Sequence, residues 1–151
     1  MKIIHQTSAG GIVFKKIPPN TYLLTPNSCL WLICQHSEHK GWVFPKGLVG
    51  DKDSTESMET AALREVEEEG GIKAKIINDQ PIKVQYSYQW NNVLVKKTVY
   101  YFLMEYVSGD PTNHDWEISE AKFITEEEIK KTLTYQSDKE AFEEILKIIK
   151  S

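Results

Sequence analysis

Between Gly50 and Ile72 the chain carries eight carboxylates, Asp51, Asp53, Glu56, Glu59, Glu65, Glu67, Glu68 and Glu69, against two cations, Lys52 and Arg64. Four of the acids fall in the five positions from Glu65 to Glu69. With Met58 at zero on a helix advancing about 100° per residue, Ala62 and Val66 mark an apolar side near 40° and 80°. Glu65 (about 340°) and Glu69 (about 20°) stand beside that side, Glu68 stands near 280°, and Glu67 points away near 180°. Three acids thus converge at i, i+3 and i+4, where like charges repel, close to a helix C-terminus, where the macrodipole opposes negative charge. An arrangement that costs stability twice is expected where function demands it. Hard oxygen donors of this kind suit Mg²⁺ or Mn²⁺. The plainer reading is a solvated acidic face, and it is the one taken for Glu126-Glu127-Glu128, which open a helix where acids are favoured.

The elements around these acids follow from pattern. Thr55 to Glu69 reads as a helix, with Asp53 and Glu56 spaced as a capping box and Gly70-Gly71 as its stop. Upstream, Ala9–Phe14 reads as a strand entered through a glycine turn. Tyr22–Leu24, Leu30–Cys34 and Trp42–Phe44 follow as strands, with a turn at Thr25–Ser28, a loop at His36–Gly41 and another at Lys46–Ser54. Downstream, residues 72–77, 82–90 and 93–107 read as strands, the last two joined at Asn91-Asn92. Ser108–His114 reads as a loop. Ala121–Ile124 is a short strand, Thr125 and Glu128 cap a helix, and Asp138–Lys150 forms a last helix with an apolar stripe. The whole reads as one α+β domain over residues 1–151.

Length and composition bound the rest. The chain has 151 residues, 40% hydrophobic and 26% charged, a size and balance suited to one globular domain. No apolar run is long enough to span a bilayer, and no apolar leader follows Met1, so a cytoplasmic protein is expected. Of its 18 basic residues only Arg64 is an arginine, and the net charge is −4. That surface argues against duplex nucleic acid as a partner. It leaves room for a small anion held by a metal and a few local cations. Cys29 and Cys34 read as buried free thiols.

The spacing of the acidic segment resembles a known motif. Gly50, five residues, Glu56, seven residues, Arg64-Glu65-Val66, one residue, Glu68-Glu69, one residue and Gly71-Ile72 match every fixed position of the Nudix box. The approach Trp42-Val43-Phe44-Pro45-Lys46-Gly47 is similar to that family's usual lead-in. On these residues the chain is identified as a Nudix hydrolase. The resemblance implies an α/β/α sandwich around a mixed sheet with a loop–helix–loop catalytic motif. It also implies hydrolysis of a nucleoside diphosphate linked to another group, X. It implies one to three Mg²⁺ or Mn²⁺ ions held by Glu65, Glu68 and Glu69 with the backbone carbonyl of Gly47. Arg64 and Glu56 would pair to hold the helix acids, a grip suited to a planar guanidinium, and Gly50, Glu56 and Gly71 would be structural.

A polyphosphate repels an anionic nucleophile, so metals must shield its oxygens and acidify the attacking water, and a carboxylate must accept that water's proton. Glu117, ahead of Ala121-Lys122-Phe123, is the candidate base; its context is similar to that in diadenosine-tetraphosphate hydrolases. Glu120 is its mimic, and a rim carboxylate without a role is the alternative. Lys97-Thr98-Val99-Tyr100-Tyr101-Phe102 resembles a strand of asymmetric dinucleoside-tetraphosphate hydrolases, which release a triphosphate and a monophosphate. Lys97 and Lys46 are candidate phosphate contacts; an ordinary edge-strand lysine is the alternative for Lys97. Tyr88, alternating with Tyr86 and Trp90, could stack on a base or pack a sheet face. Trp42 could sit under a base or staple its strand. A dinucleoside polyphosphate leads the substrate readings, followed by nucleoside triphosphates and triphosphorylated RNA. A non-catalytic nucleotide-binding domain is the reading from another class. The small-molecule nucleotide is the expected partner, and the state is monomer or homodimer.

Overall fold

A computed structural model describes residues 1–19, 21, 28–50 and 53–150. The readings for Tyr22–Leu24 and most of the turn after it, and for Asp51 and Lys52, lie outside the described residues. Among those described, eight strands form one mixed sheet. They are β1 (Lys2–Lys16), β2 (Cys29–His36), β3 (Trp42–Val43), β4 (Lys46–Leu48), β5 (Ile72–Ile76), β6 (Ile82–Trp90), β7 (Val93–Gly109) and β8 (Ile118–Ile124). The helices are α1 (Met58–Gly70), α2 (Glu126–Thr132) and α3 (Gln136–Lys150).

The spine is the parallel pair β1–β7, in register from Lys2 opposite Val93 to Phe14 opposite Glu105. The order β3-β2-β1-β7-β5 runs across it, with β8 on β2, β4 on β1 and β6 on β7, all antiparallel. Both sheet faces are covered, which is why the central strands read as near-continuous apolar runs. Alternation within them assigns the faces. Val13, Leu32, Phe102 and Met104 pack with Ala61, Ala62 and Val66 of α1. Their neighbours Ile12, Trp31, Ile33, Tyr101 and Leu103 pack with Ile129 of α2 and Phe142, Ile145 and Leu146 of α3. The result is the α+β, three-layer arrangement that the family resemblance implies.

Several boundaries differ from the sequence reading. Gly10 and Gly11 are not a turn but lie inside β1, which begins at Lys2. A Cβ on Gly11 would come within 2.7 Å of Val66 Cγ2 and Met104 Sδ, so glycine there lets α1 sit down on the sheet. Lys46–Leu48 is a strand rather than a loop, pairing with Ser8–Gly10. The capping box at Asp53 and Glu56 does not form. Ser57 caps α1 instead, its side chain accepting from the Thr60 N–H at 3.1 Å. Asp53 accepts from Thr55, and Glu56 is taken by the stronger fork of Arg64. The reciprocal box of Thr125 and Glu128 does form, as does the two-residue turn at Asn91-Asn92, both with positive φ. Cys29 and Cys34 are buried free thiols.

Candidate active site

The site is assembled where α1 ends against the sheet. Arg64 donates through Nε to Glu56 Oε2 (2.7 Å) and through Nη2 to Glu56 Oε1 (3.0 Å), a two-point grip. Its Nη1 reaches Glu65 Oε1 (2.7 Å) and Glu68 Oε2 (3.2 Å). Glu56 in turn accepts from the N–H of Gly50, whose φ of 82° a glycine adopts freely. One arginine therefore ties the start of the loop to two acids on the helix face. The guanidinium holds Glu56 below the ordinary carboxylate range.

At the other end Gly71 closes α1 in the left-handed region (φ 74°), its N–H bonding to Glu67 O. A Cβ there would meet Asp110 O and His114 N at 2.8 Å. The missing side chain lets the β7–β8 connection lie against the helix end. Asp115 then donates its N–H to Glu68 O at 2.8 Å. That connection brings Asp115, Trp116 and Glu117 to the acids of α1.

These elements enclose a mostly polar cleft of about 770 Å³, lined by Lys46, Gly47, Glu65, Glu68, Glu69, Lys97, Tyr88 and Glu117 among others. Glu65 and Glu69 are buried, at 6% and 7% exposure, whereas the Glu67 side chain is 57% exposed and lies 3.9 Å from Lys73. Burial, then the neighbouring charge of Glu65, pushes Glu69 up to about 8. Burial also raises Glu65, against the pull of Arg64, with Glu68 and Glu117 adding repulsion. Lys97 stands on β7 between β1 and β6, so it is no edge-strand lysine. Burial and then Lys46 lower its pKa, opposed by Glu69 and Glu65.

The donors fit a hard divalent cation. All are oxygens, two are buried without enough opposing charge, and Gly47 lacks the Cβ that would press into the Glu65 carboxylate. Among the described residues, no three His, Cys, Asp or Glu side chains are already gathered as a metal site. Arg64 holds Glu65 and Glu68, and the Lys46 N–H holds Glu69 at 3.2 Å.

A second, more apolar cavity of about 670 Å³ adjoins the cleft, sharing His39, Lys46, Tyr86 and Tyr88 with it. Tyr88 stacks with Tyr86, ring centroids 6.4 Å apart. Trp42 is not among the residues lining either cavity. Its ring lies 4.9 Å from Lys122 Nζ and packs on the α2–α3 side of the core. Glu120 is also outside, paired with Lys122 on β8. Sequence reasoning missed His36 and Asp115, which line the cleft, Tyr135 and Asp138, which line the side cavity, and His39, which lines both. His39 stacks on His36 at 4.3 Å, and its Nδ1 accepts from the Gly41 N–H.

The fold and this acid-lined cleft define a class. Residues 20–145 match the NUDIX domain, and the chain belongs to that family. It is 27% identical over 144 residues to a Mycobacterium tuberculosis protein named as a candidate mutator protein, MutT4, covering 92% of this chain and 54% of that one. The chain thus spans about half the length of that curated relative. Among solved structures it resembles a C. elegans Ap4A hydrolase in a binary complex, with TM-score 0.75 and 22% identity, over 96% of this chain and 98% of the other. It also resembles a MutT protein from Methanosarcina mazei, with TM-score 0.64 and 20% identity, over 100% and 99%.

Proposed function

We propose that this chain is a divalent-metal-dependent hydrolase that cleaves a phosphoric anhydride in a nucleoside diphosphate linked to X, by water attack at phosphorus. A dinucleoside polyphosphate such as diadenosine tetraphosphate, cut to ATP and AMP, is the substrate. The observation that carries this reading is the convergence of Glu65, Glu68 and Glu69 with Lys46 and Lys97 in one cleft that opens into a tyrosine-walled cavity.

Glu65, Glu68 and Glu69, with the Gly47 carbonyl, would hold one to three Mg²⁺ or Mn²⁺ ions, which shield phosphate oxygens and acidify bound water when present. Lys46 and Lys97 bind the phosphates as point charges. Arg64 and Glu56 keep the helix acids in place. Glu117, near enough to Glu65 to oppose its ionisation, takes the proton of the attacking water. The base of the nucleoside enters the side cavity against Tyr88, leaving the phosphates beside α1.

Product analysis with Mg²⁺ on diadenosine tetraphosphate, nucleoside triphosphates, ADP-ribose and a triphosphorylated RNA tests this reading. ATP plus AMP from the tetraphosphate supports it. Pyrophosphate released from triphosphates would favour the second reading, a nucleoside triphosphate pyrophosphohydrolase. No cleavage of any of them would leave either a different X or a non-catalytic binding domain.

A further inference from the structure

The acid-lined cleft opens at two margins. One is the side cavity, which shares Lys46, Tyr86 and Tyr88 with it. The other is a recess of about 220 Å³ that shares His36, Trp116 and Glu117 with the cleft and no residue with the side cavity. The stacked rings of His36 and His39 part the two, His39 lining the side cavity and His36 the recess. Trp116 is 80% exposed, and among the described residues its indole stacks on no other ring. The backbone on either side of it is nonetheless fixed. The Asp115 N–H donates to Glu68 O at 2.8 Å, and the Ser37 N–H donates to Glu117 O at 2.9 Å. The Asp115 side chain also accepts from the Glu117 N–H at 3.1 Å. A broad aromatic face is thus presented on a preorganised turn, so that little ordering is left to be done on binding. The recess carries two carboxylates, Glu38 and Glu117, and no lysine or arginine lines it among the described residues. Such a lining repels phosphate, which Lys46 and Lys97 attract in the cleft. It suits a neutral aromatic group bearing hydroxyl or amino donors.

We propose that Trp116 is a specificity-determining residue that seats the second nucleoside of a dinucleoside polyphosphate. With one base in the side cavity and the phosphates across the acids of α1, the far base stacks on the Trp116 indole at the recess. Every base has a face that can stack on an aromatic ring, so the seat selects for a nucleoside at X without choosing among bases. The inference deepens the proposed reading of the cleft, on which it rests, by placing X; it does not require turnover.

The test is equilibrium binding, with Mg²⁺ present, of diadenosine tetraphosphate carrying methylene groups in place of its anhydride oxygens. The comparison ligand is the same chain ending in a methyl ester, which keeps the charge and lacks only the second adenosine. The wild-type chain is expected to bind the dinucleotide tighter by roughly fivefold to a hundredfold, the range for one base on an aromatic face. In Trp116→Ala that preference should shrink to within about twofold while the affinity for the methyl ester holds. Trp116→Phe, which keeps an aromatic face, should retain a preference of at least about threefold. Equal wild-type affinities, a preference retained in Trp116→Ala, or a phenylalanine variant no better than alanine would overturn the proposal. So would loss of both ligands in Trp116→Ala, which would make the residue a support of the cleft, or binding of neither ligand at millimolar concentration. If the preference behaves as expected but no polyphosphate is cleaved, the hydrolase reading fails and the seat at Trp116 stands. Cleavage with equal affinities has the opposite meaning.

Discussion

The N–H of Asp115 donates to the carbonyl of Glu68 at 2.8 Å, which joins the connection bearing Glu117 to the last turn of the helix bearing the metal-ligand candidates. The two segments are far apart in sequence, and Gly71 permits their contact by leaving Asp110 and His114 room. Gly71→Ala therefore meets both a positive φ and a backbone clash. It should lower activity and thermal stability together, measured by turnover and by melting.

Glu67→Gln should leave turnover within about twofold, because an exposed ion pair contributes little and the side chain points away from the cleft. Steady-state kinetics checks this. A large loss would sink the assignment of helix faces.

Arg64→Lys should lower kcat by at least about tenfold and cost about 1–3 kcal/mol of stability, since a lysine cannot serve Glu56 in two places while reaching Glu65 and Glu68. Kinetics with parallel denaturant unfolding measures both. An active variant of unchanged stability would show that the guanidinium fork does not organise the site.

The pH dependence has a definite sign. Glu69 rises from an ordinary 4.5 to about 8 on folding, so the metal-free folded chain holds more protons than the unfolded one between those values. Its contribution to stability is complete below about pH 4.5 and is lost as pH rises through about 8. Melting of the metal-free protein should show this decline, and Glu69→Gln should flatten it. Mg²⁺ should restore stability at the alkaline end, because binding favours the ionised acid.

Much of this was legible in the sequence because the information is local. The phase of Glu65, Glu68 and Glu69 against Ala62 and Val66 follows from helix periodicity alone, and the stop at Gly71 from its position after the last helical turn. The start of the same helix was misread because Glu56, spaced as a capping partner, has a better one eight residues on in Arg64. The strand pattern is legible only from Ala9 to Phe14, whereas β1 begins at Lys2, where its pairing with β7 is non-local. Tyr135 and Asp138 carried no signal that could place them beside Tyr88, because α3 reaches β6 only in the packed domain. Trp42 lay next to the motif in sequence, yet its ring turns toward Lys122 and the core.

The most direct test of the account is turnover of diadenosine tetraphosphate against Mg²⁺ concentration, for the wild-type chain and Glu69→Gln side by side. The account predicts formation of ATP and AMP that vanishes on chelation, returns with Mg²⁺, and falls by at least about a hundredfold in the variant. Cleavage that persists unchanged in Glu69→Gln, or that ignores the metal, would contradict it.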